Sequence, residues 1–153
     1  ESEYEEISGE ISITKHISFS ELSETDLDSI SRGKVAPEEH INYIRIQFDR
    51  PSIMWGLRKN GILMGMIFID KKVVDEKNGI RMRNEEKYLH GIEIIPEFRG
   101  KGYSKHLLKK CLMDAKEMNI DTVICKIQAS NSISIRLHEK ICAPKVRSKY
   151  IYN

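Results

Sequence analysis

Between the mostly apolar run Ile92–Ile95 and the amphipathic stretch Leu107–Met118, the chain places Arg99-Gly100-Lys101-Gly102-Tyr103-Ser104, two glycines among cations. Residues of these types in this order can hold a phosphate. A helix start offers unpaired N–H groups and a partial positive charge, and glycines let the backbone come close to a ligand. A strand that runs into such a turn and out into a helix can therefore cradle a pyrophosphate. The same turn can also do no more than fix the angle between strand and helix, and Gly-x-Gly by itself does not separate the two. Two other phosphate loops are excluded. Gly-x4-Gly-Lys-Ser/Thr is absent, and Lys105 stands where Gly-x-Gly-x-x-Gly needs its last glycine.

The elements that must position this turn can be read from periodicity and punctuation. "ISITKHI", from Ile11, alternates as a strand does. "LSETDLDSISRG" carries Ser or Thr caps, Asp in its first turn and Gly33 just past its end, which predicts a helix. In "APEEHINYIRIQF", Pro37 suits a first helical turn and Ile41, Ile44 and Phe48 share one face. "SIMWGLRKNGILMGMIFID" reads as two strands joined at Asn60-Gly61, because both residues tolerate positive φ. A second Asn-Gly, Asn78-Gly79, lies in a charged stretch before "YLHGIEII" and predicts a long, solvated hairpin between the third and fourth strands. After the glycine turn, Leu107, Leu108, Cys111, Leu112, Ala115 and Met118 recur at helical spacing. "TVICKI" reads as a buried strand. "SNSISIRLHEKI" reads as a helix capped by Ser130 or Asn131, with Ile133, Leu137 and Ile141 on one stripe, and "VRSKYIY" as a final strand. The order β-α-α-β-β-β-α-β-α-β predicts an α/β (mixed α+β) fold, a mixed sheet with helices on both faces in which antiparallel hairpins lead into a βαβ unit.

Composition bounds what this fold can do. The 153 residues, 40% hydrophobic and 31% charged, suit one domain over 11–153 behind an acidic tail at 1–10. A net charge of +2 argues against a dedicated nucleic-acid binder. No apolar run approaches the ~20 residues that span a bilayer, so no membrane partner is expected. No secretory signal is read, although the chain does not begin with Met and an N-terminal segment could have been removed. Cys111, Cys125 and Cys142 are widely spaced, without a CxxC pair or a His/Cys cluster. They read as reduced thiols of a cytoplasmic protein, and no metal is expected.

"IEIIPEFRGKGYSKHLLKKC" resembles motif A of the GCN5-related N-acetyltransferases, the GNAT superfamily. That motif reads Arg/Gln-x-x-Gly-x-Gly/Ala after an apolar strand often ending in Pro. Arg99 and Gly102 match, and Ser104 stands where Gly or Ala is usual. Asn131, Ser134 and "RLHEK" resemble the Asn-x-x-Ser/Ala…Leu-Tyr-Glu-Lys stretch of the family's second motif, and the order of elements from Ile11 to Tyr152 is similar. The resemblance implies a largely antiparallel sheet whose fourth and fifth strands splay apart around acetyl-CoA. It places the pyrophosphate on the backbone of Arg99, Gly100, Lys101, Gly102, Tyr103 and Ser104. It assigns main-chain groups at Ile94, Ile95 and Pro96 to the pantetheine and thioester, and the Asn131 side chain to the cofactor arm. Substrate is expected from the side of the first two helices and the charged hairpin.

The implied reaction is acetyl transfer from acetyl-CoA to a primary amine. An amine is mostly protonated at pH 7, so a base must remove a proton, and a developing oxyanion needs N–H donors. His90 is the candidate base. In a fourth strand without a bulge, alternation puts Tyr88, His90, Ile92 and Ile94 on one face and turns Glu93 away. An imidazole has nearly the right unperturbed pKa, and family members carry catalytic residues at this strand position. Tyr88 is a candidate water-holder; His90 as a partly buried strand histidine is the plainer alternative. The family's Tyr that protonates the leaving thiolate is replaced by His138, either a substitute acid or an ordinary helix residue. The usual Gly-Phe after that helix is Cys142-Ala143, and one candidate strand follows where two are common. His16, His40 and His106 read as structural or exposed. The alternative function is a non-catalytic acyl-CoA-binding or regulatory domain; a monomer or homodimer is expected.

Overall fold

The computed structural model describes residues 10–70, 86–128 and 130–142. The tail at 1–9, the hairpin around Asn78-Gly79 and the final strand "VRSKYIY" lie outside the described residues. The strands are β1 (Ile11–His16), β2 (Ser52–Lys59), β3 (Ile62–Asp70), β4 (Glu86–Ile94) and β5 (Thr122–Ile124). The helices are α1 (Glu24–Ile30), α2 (Pro37–Asp49), α3 (Tyr103–Glu117) and α4 (Ser132–Cys142). All five strands form one sheet in sequential order, with β1 to β4 antiparallel and β4–β5 parallel. This is the mixed, largely antiparallel sheet expected.

Local chemistry explains most boundaries. Asn60 and Gly61 both take positive φ, 51° and 79°, so the β2–β3 hairpin closes in two residues. Ser23 caps α1 in a reciprocal box with Asp26, each side chain accepting from the other's N–H. Pro37 opens α2. The Asn131 side-chain oxygen accepts from the Ser134 N–H and caps α4.

Helices cover both faces of the sheet. Trp55 pairs with Ile67 and Met54 with Phe68, so Trp55 and Phe68 point to opposite sides. On one side the Trp55 indole N–H donates to Asp114 of α3 at 2.8 Å. There Leu107, Leu108, Cys111 and Ala115 are buried, as the periodicity predicts. Each wholly buried leucine contributes about 1.5–3 kcal/mol. Burial, and secondarily Asp114, pushes the Cys111 thiol up, so it stays neutral packing. On the other side Phe48 of α2 meets Phe68 edge-on at 5.9 Å. Ile133 departs from expectation. It lies in the first turn of α4 and is 79% exposed, leaving Leu137 and Ile141 to pack against the core.

Two irregularities shape the centre of the sheet. β4 runs parallel to β5 only over Glu86–Tyr88, paired with Thr122–Ile124, and then continues to Ile94 without it. The strands thus part after Tyr88, as the resemblance implied. The second is a bulge. Phe68 opposes His90 and Met66 opposes Glu93, so three residue steps on β4 span two on β3. Gly91 makes it possible with φ of 68°, and a Cβ there would come within 3.0 Å of the Phe68 ring. Among the described residues no helix is long and apolar enough to cross a membrane.

Candidate active site

The bulge corrects the alternation read from sequence. Phe68 and Met66 are two residues apart and share a face, so their partners His90 and Glu93 do as well. Glu93 is not turned away from His90. Both lie on the α2 side, while Ile94 and Leu89 are buried in the core. Glu93 is nevertheless occupied. It accepts from His40 Nε2 at 2.9 Å and pairs with Lys34. Burial pushes its carboxyl up, but the hydrogen bonds from His40 and Lys34 outweigh that and hold it below the usual carboxylate range. His40 also accepts from or donates to Ser31 Oγ at 2.8 Å, so it is structural, as expected.

His90 is built into a stack. Its ring lies nearly parallel to that of Phe68, 5.6 Å away, and to that of Tyr88, 5.0 Å away. Its Nε2 is 2.7 Å from Oδ1 of Asp70, whose side chain is wholly buried. The Ser52 hydroxyl donates to the same oxygen. Ser52 and Asp70 are directly paired across β2 and β3, and Asp70 is paired with Tyr88 across β3 and β4, which brings three strands to one point.

Where β4 and β5 part, a cleft of about 310 Å³ opens. Its walls are Tyr88 to Ile92 on β4 and Cys125 to Ile127 beyond β5, with Tyr43 from α2 and Ser134 and His138 from α4. Three candidate residues named from sequence, Tyr88, His90 and His138, therefore share one cavity. Tyr43 is a member that sequence reading missed. Burial first, then the Glu93 and Asp70 carboxylates, push its phenol up, so it stays protonated and can donate. His138 is buried, with Nδ1 2.7 Å from the Ser134 carbonyl oxygen. A carbonyl only accepts, so His138 carries its proton on Nδ1.

The glycine turn lies just beyond the β4 end of this cleft. Gly100 and Gly102 adopt φ of 76° and 80°, and a Cβ built on either meets nothing within 4 Å. Gly102 is the N-cap of α3 and has no side chain to cap with, so the first N–H groups of the helix are left for another acceptor. Free N–H groups at a helix start are the kind of donors that an anion can use. Lys101 sits over the Phe98 ring at 5.3 Å, and Tyr103 packs on the same ring. Arg99 is turned back, its Nε–H donating to the Ile94 carbonyl at 2.8 Å. The Ile95 N–H donates to the Met64 carbonyl at 2.9 Å, and Pro96 has no N–H. Of the main-chain groups expected at Ile94 to Pro96, these are already engaged within the chain. Among the described residues no group of three or more His, Cys, Asp or Glu is placed to hold a metal ion.

Residues 19–143 match the sequence profile described as the Acetyltransferase (GNAT) family. Comparison with curated proteins finds no match. Among solved structures, the fold is similar to that of a ribosomal-protein-alanine N-acetyltransferase from Brucella melitensis biovar Abortus 2308. That pair has a TM-score of 0.64 and 19% identity, covering 94% of this chain and 98% of the other. An aminoglycoside antibiotic 6'-N-acetyltransferase from Acinetobacter baumannii aligns at TM-score 0.62 and 18% identity, covering 94% and 96%. A predicted acetyltransferase with acetyl-CoA from Clostridium acetobutylicum aligns at TM-score 0.59 and 15% identity, again covering 94% and 96%.

Proposed function

Because the chain belongs to the acetyltransferase (GNAT) family, we propose that it transfers an acetyl group from acetyl-CoA to a primary amine, with His90 as the base. The observation that carries this reading is the stacked, Asp70-bonded His90 in the wall of the cleft where β4 and β5 part. Two of the similar structures are N-acetyltransferases and another holds acetyl-CoA, which supports an amine acceptor and that donor. Their acceptors differ in class, so the acceptor here is not inferred from them.

In this reading the donor supplies an activated thioester and a thiolate that leaves readily. The chain's own groups do the rest. The Gly100–Ser104 backbone holds the pyrophosphate at the start of α3, and Arg99 braces the turn through the Ile94 carbonyl. Asn131, whose oxygen caps α4, has its amide N–H₂ left to hold the cofactor arm. The amine enters past Tyr43, and His90 takes its proton, directly or through a water held by Tyr88. His138 stands on the opposite wall and can give the Nε2 proton of its imidazolium form to the departing thiolate.

Thiol release from acetyl-CoA, measured across a panel of small amines, peptide N-termini and lysine peptides, tests the proposal. CoA at ~100 times its Kd should add roughly 2.7 kcal/mol of stability, which raises Tm by about 5–10 °C. No shift at millimolar CoA sinks the donor assignment. A shift without thiol release from any amine leaves an acyl-CoA-binding domain instead.

A further inference from the structure

The base reading leaves open which nitrogen of His90 works and what decides it. The answer lies behind the ring. Asp70 ends β3, is wholly buried, and presents one oxygen, Oδ1, to two donors, the Ser52 hydroxyl and His90 Nε2 at 2.7 Å. With Asp70 as a carboxylate its oxygens only accept, and the hydrogen between them belongs to His90 Nε2. The neutral ring then has one free lone pair, on Nδ1. Phe68 and Tyr88, each packed nearly parallel to the ring at 16° and 13°, oppose a rotation that would exchange the nitrogens. A second observation points the same way. Asp70 Oδ2 is buried with no hydrogen-bond partner among the described residues. A buried carboxylate with one oxygen unpaired is destabilising unless its charge is used. A cation forming on the adjacent imidazole would use it.

We propose that Asp70, seated by Ser52, is a positioning residue that fixes His90 as the Nε2–H tautomer and leaves Nδ1 as the proton acceptor in the cleft. The inference rests on His90 being the base. In the step, Nδ1 takes one proton from the acceptor ammonium, directly or through water, and the amine lone pair is freed for attack. The ring becomes an imidazolium with both N–H bonds intact. Asp70 stays ionised and faces the new charge, and the proton later returns to solvent. Because Asp70 and Ser52 never touch substrate, their removal should act through the ring alone.

The test combines a spectroscopic and a kinetic readout on the whole protein. In protein labelled with ¹⁵N-histidine, at about pH 9, His90 should show a protonated Nε2 and an unprotonated Nδ1. In Asp70→Asn the amide can present N–H₂ to the ring as readily as oxygen, so the single tautomer should give way to a mixture or to the Nδ1–H form. Its kcat for thiol release should fall about 100-fold or more, with CoA affinity unchanged. Ser52→Ala, the milder variant, leaves the carboxylate in place, so it should keep the Nε2–H tautomer and lower kcat by about 10-fold or less. A single Nε2–H signal and wild-type kcat in Asp70→Asn overturn the proposal. If His90→Ala keeps its turnover, the base assignment itself is wrong. The two failures are distinguishable because the tautomer is read without reference to turnover.

Discussion

At the scale of single residues, His90 differs from the other described histidines in combining a cleft position with a buried carboxylate behind it. His40 is spent between Ser31 and Glu93. His16 bonds Thr14 and lies beside Arg58. His90→Ala should therefore bind CoA as the parent does and lose about 100- to 10,000-fold in kcat, the usual range for a general base. Calorimetric CoA binding beside steady-state thiol release checks both halves. His90 and His138 could be named from sequence because a resemblance pointed at their positions, and Tyr88 because strand alternation put it beside His90. Asp70 could not. It ends the apolar run "MIFID", and only the register across a long connection shows that it meets Tyr88 and His90. Tyr43 was invisible for a similar reason, since its helix had to be docked before its reach was known.

At the scale of elements, two glycines do different work. Gly91 sustains the bulge that puts Glu93 on the His90 side, and it needs both positive φ and the absence of a Cβ beside Phe68 and Tyr43. Gly91→Ala should destabilise the fold by about 1–2 kcal/mol for the left-handed backbone alone. It should also lower kcat by moving His90 in its stack. A urea midpoint unchanged from the parent would contradict this. A Cβ at Gly102 meets nothing within 4 Å among the described residues, so Gly102→Val has open space there. It strains the αL cap and puts side-chain atoms where the pyrophosphate is proposed to rest. The variant should give a near-native circular dichroism spectrum and lose CoA binding in calorimetry. The Asn60-Gly61 hairpin, the α1 box and the apolar stripe of α3 were legible because each is a local signal. The bulge had one signal too, a glycine inside a strand pattern, but a glycine alone does not say which face follows it.

At the scale of the whole molecule, α1 and α2 are tied to the sheet by partly buried charge. Arg58 donates to both carboxylate oxygens of Asp26, at 2.6 and 3.1 Å. Burial pushes the Asp26 carboxyl up, yet the Arg58 and Ser23 hydrogen bonds outweigh it and hold it low. Burial, then Arg58, holds the nearby His16 imidazole below its ordinary value of 6.5. A group with a depressed folded pKa stabilises above its unfolded pKa, and that stability is lost as pH falls toward the folded one. His16 therefore starts to destabilise the fold below about pH 6.5, and the Asp26 and Glu93 carboxylates below about pH 4. Tm should decline between pH 7 and 5, and His16→Gln should flatten that decline. Thermal melts across the range check it, and an equal decline in the variant would exonerate His16.

Among the described residues, the short parallel seam between β4 and β5 leaves the two walls of the cleft unequally paired. Tyr88 and His90 stand on a strand registered along β3 from Asp70 to Gly65, and that strand is registered in turn along β2. Cys125 and His138 follow a strand joined to β4 through three residue pairs among the described residues. Among the described residues the first wall is the more extensively paired. In the proposed reaction that wall holds the amine end and the other the thiol end. On that proposal, acyl groups bulkier than acetyl should displace the less paired wall first, with the geometry around His90 kept.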